Sequence, residues 1–256
     1  MKIDILTLFP EMFHGIINSS IISRAVEGEI VEINIHDFRD FSTKNNKRVD
    51  DYSYGGGAGM VIEVAPVVNC LKTIEGYKEA RKIITLPTGS VYNQKKAEEL
   101  SKDKHIVIIC GHYEGIDERI MNYVDEAISI GDFILTGGEI AALTIIDSVI
   151  RLLPNALGNS ESAEIESFDG SLLEYPQYTR PVNFEGLEVP SVLINGNHEH
   201  IRRWRRFQSL KLTYQKRPDL LDKAELTDED IYYLNMIKEG KEFSDEIYKI
   251  RKFILK

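Results

Sequence analysis

Strand-like and helix-like patterns alternate along the first 150 residues, and this alternation constrains the fold more than any other feature. "IDILTLF" has the apolar run of a strand, and Pro10 stands where a helix opens. "EMFHGIINSSIISRAVEG" has helical periodicity and stops at Gly28. "IVEINIHDF" alternates apolar and polar residues, as a half-buried strand does, and "RKIITLP", "HIVIIC" and "EAISI" supply further strands. Between them "APVVNCLKTIEGY", "NQKKAEELSK", the short "IDERIMNYV" and the apolar "EIAALTIIDSVIRLL" predict helices. Strands that alternate with helices pair in parallel through crossovers, so the pattern predicts an α/β domain with a largely parallel sheet.

Periodicity then fails from residue 154 to about 188, in a polar stretch marked by Gly and Pro. A segment that long without periodicity reads as a functional loop or a linker. Beyond it "VPSVLING" predicts one more strand, and the rest reads as helical. Thr227 and Asp230 open "TDEDIYYLNMIKEG" with a capping-box spacing, and a closing helix follows. The expected division is an α/β domain over 1–160, a flexible linker over 161–180 and a smaller, mainly helical domain over 181–256.

Cys70 and Cys110 form no CxxC pair, which suits a reducing compartment and predicts a cytoplasmic location. The N-terminal "MKIDILTLFPEMF" reads as a first strand and not as a signal peptide. No apolar run reaches the ~18 residues a membrane span needs. A net charge of −10 argues against a polyanionic partner. The stretch from His200 to Pro218 runs the other way. It carries Arg202, Arg203, Arg205, Arg206, Lys211, Lys216 and Arg217, with no acid among them. Trp204, the single tryptophan, sits inside this stripe. Arginine with aromatics suits phosphate contact and base stacking, although such a helix also serves as a solvated face paired with acids.

Three further stretches carry chemistry. "YGGGAGM" lacks the Lys-Ser/Thr pair of a phosphate loop and is either a flexible turn or a site of close contact. "CGHYEGIDERI" follows a buried strand, at the end where open α/β sheets bind ligands. "SIGDFILTGGEIAAL" places Gly131, Gly137 and Gly138 between a strand and a helix, again with no lysine for a phosphate. His198, Glu199 and His200 do not have zinc-binding spacing, and no metal ligand is assigned.

Taken together, "LTLFPEMF", "VDDYSYGGGAGMVIE", "CGHYEGIDERI", "SIGDFILTGGEIAAL", "DSVIRLLP", "EYPQYTRP", "GNHEHIRRWRR" and "KRPDLL" resemble the bacterial tRNA (guanine-N1)-methyltransferases, in that family's order, over about residues 3–221. The resemblance implies an α/β fold of the SPOUT class with a deep trefoil knot, plus a smaller helical C-terminal domain. It implies a homodimer with its active site at the subunit interface, S-adenosylmethionine as cofactor and Mg²⁺ as a further one. The implied reaction methylates N1 of the guanine at tRNA position 37. The cofactor pocket would be formed by Thr85, Leu86 and Pro87, by Gly111 and Tyr113, and by Ser129, Ile130, Gly131, Asp132, Phe133, Ile134 and Leu135, with Gly137 and Gly138 beyond. Glu114 would contact the target guanine and Arg151 would lie near the methyl-transfer site. The Arg-rich domain would grip tRNA through Arg202, Arg203, Arg205 and Arg206.

The family's catalytic acid stands in an acid-Ser-Phe motif, here Glu166-Ser167-Phe168. The familiar form has Asp at the position of Glu166, and Gly at that of Ser171. Asp169 is the reserve candidate for the base. "TLPTG" also departs from the usual Ser-Pro-Gln-Gly turn. Two other readings remain open at this point: a related SPOUT enzyme acting on another base or a ribose, and a non-catalytic RNA-binding protein.

Overall fold

A computed structural model of the chain describes residues 1–157, 168 and 171–243. The chain divides into two compact units, Met1–Ser160 and Glu161–Lys256.

The first unit is built on a five-stranded sheet whose neighbours are all parallel. Its strands are β1 (Lys2–Thr7), β2 (Glu32–Asp37), β5 (Arg81–Val91), β6 (His105–Cys110) and β7 (Glu126–Ser129), with β3 (Asp50–Asp51) and β4 (Val61–Ile62) forming a small separate ladder. The sheet order is β2-β1-β6-β5-β7. Register puts Ile35, Ile5, Ile108 and Ile83 in one row across it. Successive side chains of a strand point to opposite faces, which explains the unbroken apolar run of β6. Ile106, Ile108 and Cys110 join one core, and Val107 and Ile109 the other.

The first core is closed by α1 (Glu11–Ile17), α2 (Ser20–Glu27) and α5 (Glu139–Ile150), through Phe13, Ile22, Ala25, Ile145, Ile146 and Val149. The second is closed by α3 (Val64–Thr73), through Val67, Cys70 and Leu71, and by Phe38 of a 3₁₀ turn. A further helix, α4 (Gln94–Leu100), buries Ala97 and Leu100 and is capped by the Asn93 side chain, which accepts the Lys96 N–H.

The second unit holds a hairpin, β8 (Asn183–Phe184) and β9 (Leu187–Glu188), and the helices α6 (His198–Lys216), α7 (Pro218–Leu221) and α8 (Asp228–Lys238). Its core gathers Leu172, Phe207, Leu210, Tyr233, Leu234 and Met236. The Thr227–Asp230 capping box is formed in full.

Three expectations differ from the structure. The helix expected over 11–28 is two helices, because the chain turns through Ser20 at φ 55°, a conformation outside the α region. "VPSVLING" is not a strand. Pro190 offers no N–H to a ladder, and its carbonyl accepts the Leu193 N–H in a 3₁₀ turn over Ser191–Leu193. The linker expected over 161–180 is partly pinned: Leu172 is buried, and the Leu173 N–H donates to Thr213 Oγ1 at 2.9 Å. The closing helix expected after residue 243 lies outside the described residues.

Candidate active site

Three loops at the carboxyl ends of the sheet enclose one cavity of about 390 Å³. The first leaves β5. Thr85 and Ser90 both stand opposite Ile128 of β7, so Leu86–Gly89 bulges out of the ladder between them. Gly89 is required there, since a Cβ would lie 2.5 Å from the Ala127 carbonyl carbon. The second loop follows β6, where Tyr113 adopts φ 59° and its N–H donates to His112 Nδ1 at 2.8 Å. The third joins β7 to α5. Ser129 Oγ accepts the Gly131 N–H and donates to the Gly131 carbonyl, closing the turn at its start.

At its end this third loop docks on the second. The Gly138 N–H donates to the Gly111 carbonyl at 2.7 Å, and His112 bridges to Gly137. A Cβ on Gly138 would collide with Thr85 Oγ1 and lie 2.8 Å from the Gly111 nitrogen, so only glycine lets the three loops meet. Thr85 itself is buried and its hydroxyl lies 3.2 Å from the Gly138 carbonyl. Its side chain therefore ties wall to wall.

Every residue expected at the cofactor site lines this cavity except Asp132, which is exposed and outside the lining. Glu114 lines it too, together with His112, Gly115, Ile128, Thr136 and Ala141, which the sequence had not assigned. His112 is held by the Phe9 ring, 4.9 Å away, a contact made by a loop more than a hundred residues earlier. Glu114 is the one charged residue of the lining among the described residues. Behind the cavity Glu139, also buried, accepts the Thr7 hydroxyl at 2.8 Å. Burial first, and Glu139 second, push the Cys110 thiol well above its ordinary pKa. The lining thus holds one carboxylate and, among the described residues, no Lys or Arg, which suits a positively charged ligand without phosphate.

The glycine-rich "YGGGAGM" does not cradle a phosphate. The Glu114 side chain crosses directly over Gly59, and the Glu114 N–H donates to the Met60 carbonyl at 3.1 Å. The close approach open in the sequence is to another loop of the same chain.

Arg151 is not brought to this cavity. It caps the C-terminal end of α5, whereas Gly138 caps the N-terminal end. Twelve helical residues separate them, about 18 Å. Glu166 and Asp169 lie outside the described residues.

Three arginines of the stripe are paired with acids, as the solvated-face role open in the sequence allows. Arg202 donates to both Glu199 oxygens, at 2.9 and 3.0 Å, and reaches Glu229. Arg203 is 8% exposed and its Nε lies 2.8 Å from Glu199. Arg206 forms a bidentate pair with Asp230 at 2.7 and 2.9 Å. The hydrogen bond from Arg202, with the charges of Arg202 and Arg203, takes the Glu199 carboxyl down to about 2 against the penalty of partial burial. Two of these acids, Glu229 and Asp230, belong to α8, which is why a stripe with no acid of its own looked unpaired in sequence. Arg205 alone turns elsewhere, over the Tyr175 ring at 4.8 Å. Glu199 is engaged by Arg202 and Arg203. No cluster of three metal-ligating side chains occurs among the described residues.

A parallel α/β sheet with a glycine-shaped pocket at its strand ends, in a chain that also carries a helical unit rich in arginine, defines a ligand-binding protein of the open α/β class. The chain belongs to the tRNA (Guanine-1)-methyltransferase TrmD family, whose sequence pattern matches residues 1–223. It is 50% identical over 248 residues to the tRNA (guanine-N(1)-)-methyltransferase of Dictyoglomus turgidum, covering 96% of this chain and 100% of that protein. It is 51% identical over 244 residues to the proteins of the same name from Bacillus cereus strain AH820 and Bacillus anthracis strain A0248, covering 94% of this chain and 100% of each.

Proposed function

We propose that this chain transfers a methyl group from S-adenosylmethionine to N1 of a guanine in tRNA, at position 37 beside the anticodon. The observation that carries the reading is the cavity of about 390 Å³ at the strand ends, rich in backbone groups and apolar side chains, with Glu114 its one charged lining residue among those described. Such walls suit adenine, ribose and a sulfonium, and Gly138 lets the loops that form them pack closely. The bound cofactor supplies the activated methyl group.

The chain's own groups then have three tasks. The cavity fixes the direction of attack, which is worth several kcal/mol when a bimolecular step becomes a positioned one. N1 of guanine carries a proton and is a poor nucleophile until a carboxylate takes it, a step typically worth ~10²–10⁴ in rate. Glu166 is assigned this role, with Glu114 holding the guanine edge. As the proton leaves, negative charge develops at O6, and Arg151 is the cation assigned to meet it. Because Arg151 and Gly138 cap opposite ends of α5, the reading has a second copy of the chain supply Arg151, in a homodimer with its sites at the interface. The deep trefoil knot and a cytoplasmic location belong to the same reading. The described residues offer no cluster of three metal-ligating side chains to hold Mg²⁺.

The test uses purified protein, labelled S-adenosylmethionine and tRNA transcripts carrying G or A at position 37. Label at N1 of G37, and none on A37, is expected. Label on another base or on ribose overturns the assignment. Glu166→Gln is expected to bind cofactor and tRNA and lose ~10²–10⁴ in rate. Normal turnover of that variant alongside a dead Asp169→Asn moves the base to Asp169.

A further inference from the structure

A second cavity, of about 400 Å³, lies wholly within the 161–256 unit. Its walls include Tyr175, Tyr178, Trp204, Arg180, Arg205 and Ile194, and no acidic residue lines it among those described. The volume is in the range of small-ligand pockets. The Tyr178 and Trp204 rings stand 6.2 Å apart and tilted by 57°, and the Arg205 guanidinium lies over Tyr175. Two observations show that this surface is not satisfied internally. Arg205 Nε is buried with no hydrogen-bond partner among the described residues, in contrast to Arg202 and Arg206, which are paired with acids. Arg180 is exposed at the wall and makes no ion pair among the described residues.

Aromatic faces beside guanidinium groups, with no acid in the lining among the described residues, select a flat π-system that carries a negative charge. A nucleotide has both parts. We propose that this cavity takes one unstacked base of the tRNA, stacked against Tyr178 and Trp204, with the adjoining phosphate on Arg180. The proposal rests on the reading of the chain as a tRNA methyltransferase, and it moves RNA recognition in this unit from the stripe as a whole to one pocket. Single-stranded loops present splayed bases to such sites, and stacking tolerates any base.

Trp204 lines the pocket and is the single tryptophan of the chain, so its emission reports on the pocket without labelling. With S-adenosylhomocysteine present throughout, adding an anticodon stem-loop RNA is expected to quench Trp204. Tyr178 is 47% exposed, so Tyr178→Ala is a surface change that the fold tolerates. It is expected to raise KM for tRNA about 5- to 150-fold, the range that loss of one stacked base gives. KM for S-adenosylmethionine should stay where it is, and Tyr178→Phe should restore the parent value. Arg180→Gln is expected to lower the salt slope of tRNA binding by about 1. The parent's own methylation of the transcript is scored first, since its absence removes the methyltransferase reading. A parent that methylates, with tRNA KM unmoved in Tyr178→Ala or Trp204 emission unmoved by the RNA, overturns the base pocket alone. A change in sedimentation that accompanies the KM effect reassigns the cavity to contact between two copies, and also overturns it.

Discussion

Asp4 is a carboxylate in the interior strand of a parallel sheet, 2% exposed at its side chain, and three neighbours keep it charged. Burial alone pushes its pKa up. The Nε2–H groups of His36 at 2.7 Å and His105 at 2.6 Å donate to its two oxygens, and Lys2 lies 3.6 Å away. Together they outweigh the burial and hold the carboxyl below its ordinary value of 3.8. A depressed folded pKa contributes stability that is present above the unfolded value and is lost as pH falls through the folded one. Asp4→Asn is therefore expected to cost about 1.5–3 kcal/mol at pH 7, and the difference should shrink below about pH 4. Urea unfolding of both proteins at pH 7 and pH 3 measures it, and a gap that does not change with pH would contradict the argument. The sequence sets His36 and His105 far from Asp4 along the chain. It could not pair them with Asp4, because the pairing depends on the registers of β2 and β6 against β1, which no local pattern encodes.

The helices show the same boundary between what is local and what is not. The cap of α8 and the apolar character of α5 follow from local capping chemistry and periodicity, and they were legible. The pairing of Arg206 was not, because Asp230 arrives from α8 after a turn. Likewise the glycine runs announced close approach, but only the fold says that Thr85 and Gly111 approach Gly138 and that Glu114 approaches Gly59. The break at Ser20 has no proline or glycine to mark it. The α6–α8 pairing carries its own prediction. Asp230 is 1% exposed, accepts two bonds from Arg206 and completes the α8 cap at Thr227. Removing the guanidinium leaves that carboxylate buried with its charge unmet. Arg206→Ala is expected to destabilise the protein by about 2–3 kcal/mol, less than the ~3–5 of a fully buried pair because Arg206 is partly solvated. Urea unfolding followed by far-UV circular dichroism measures the loss. Unchanged stability together with a flatter salt dependence of tRNA binding would return Arg206 to the phosphate-gripping role first expected of it.

At the scale of the whole molecule, the central question is whether one chain holds a complete site. The cavity rim exposes Phe133 at 54% and Ile134 at 80%, apolar groups that a partner would cover. Arg151, meanwhile, caps the far end of α5. In a two-fold dimer each interface is self-complementary, so a residue remote from its own pocket can serve its partner's. This can be tested without a structure of the assembly. Glu114→Ala damages the cavity and leaves Arg151 intact, while Arg151→Ala does the reverse. Each variant alone is expected to lose methyl transfer. Mixed by co-expression, half of the dimers should contain one chain of each kind. In such a dimer one site combines both lesions and the other combines neither. Activity should therefore return to about a quarter of the parent's, carried by one intact site in every second dimer. If Arg151 acts on the cavity of its own chain, every site in the mixture keeps one lesion and nothing returns. Sedimentation of the mixture supplies the control, because recovery requires that the chains exchange partners. Recovery of activity places the functional unit in the pair of chains, and a dead mixture of well-formed heterodimers places it in one.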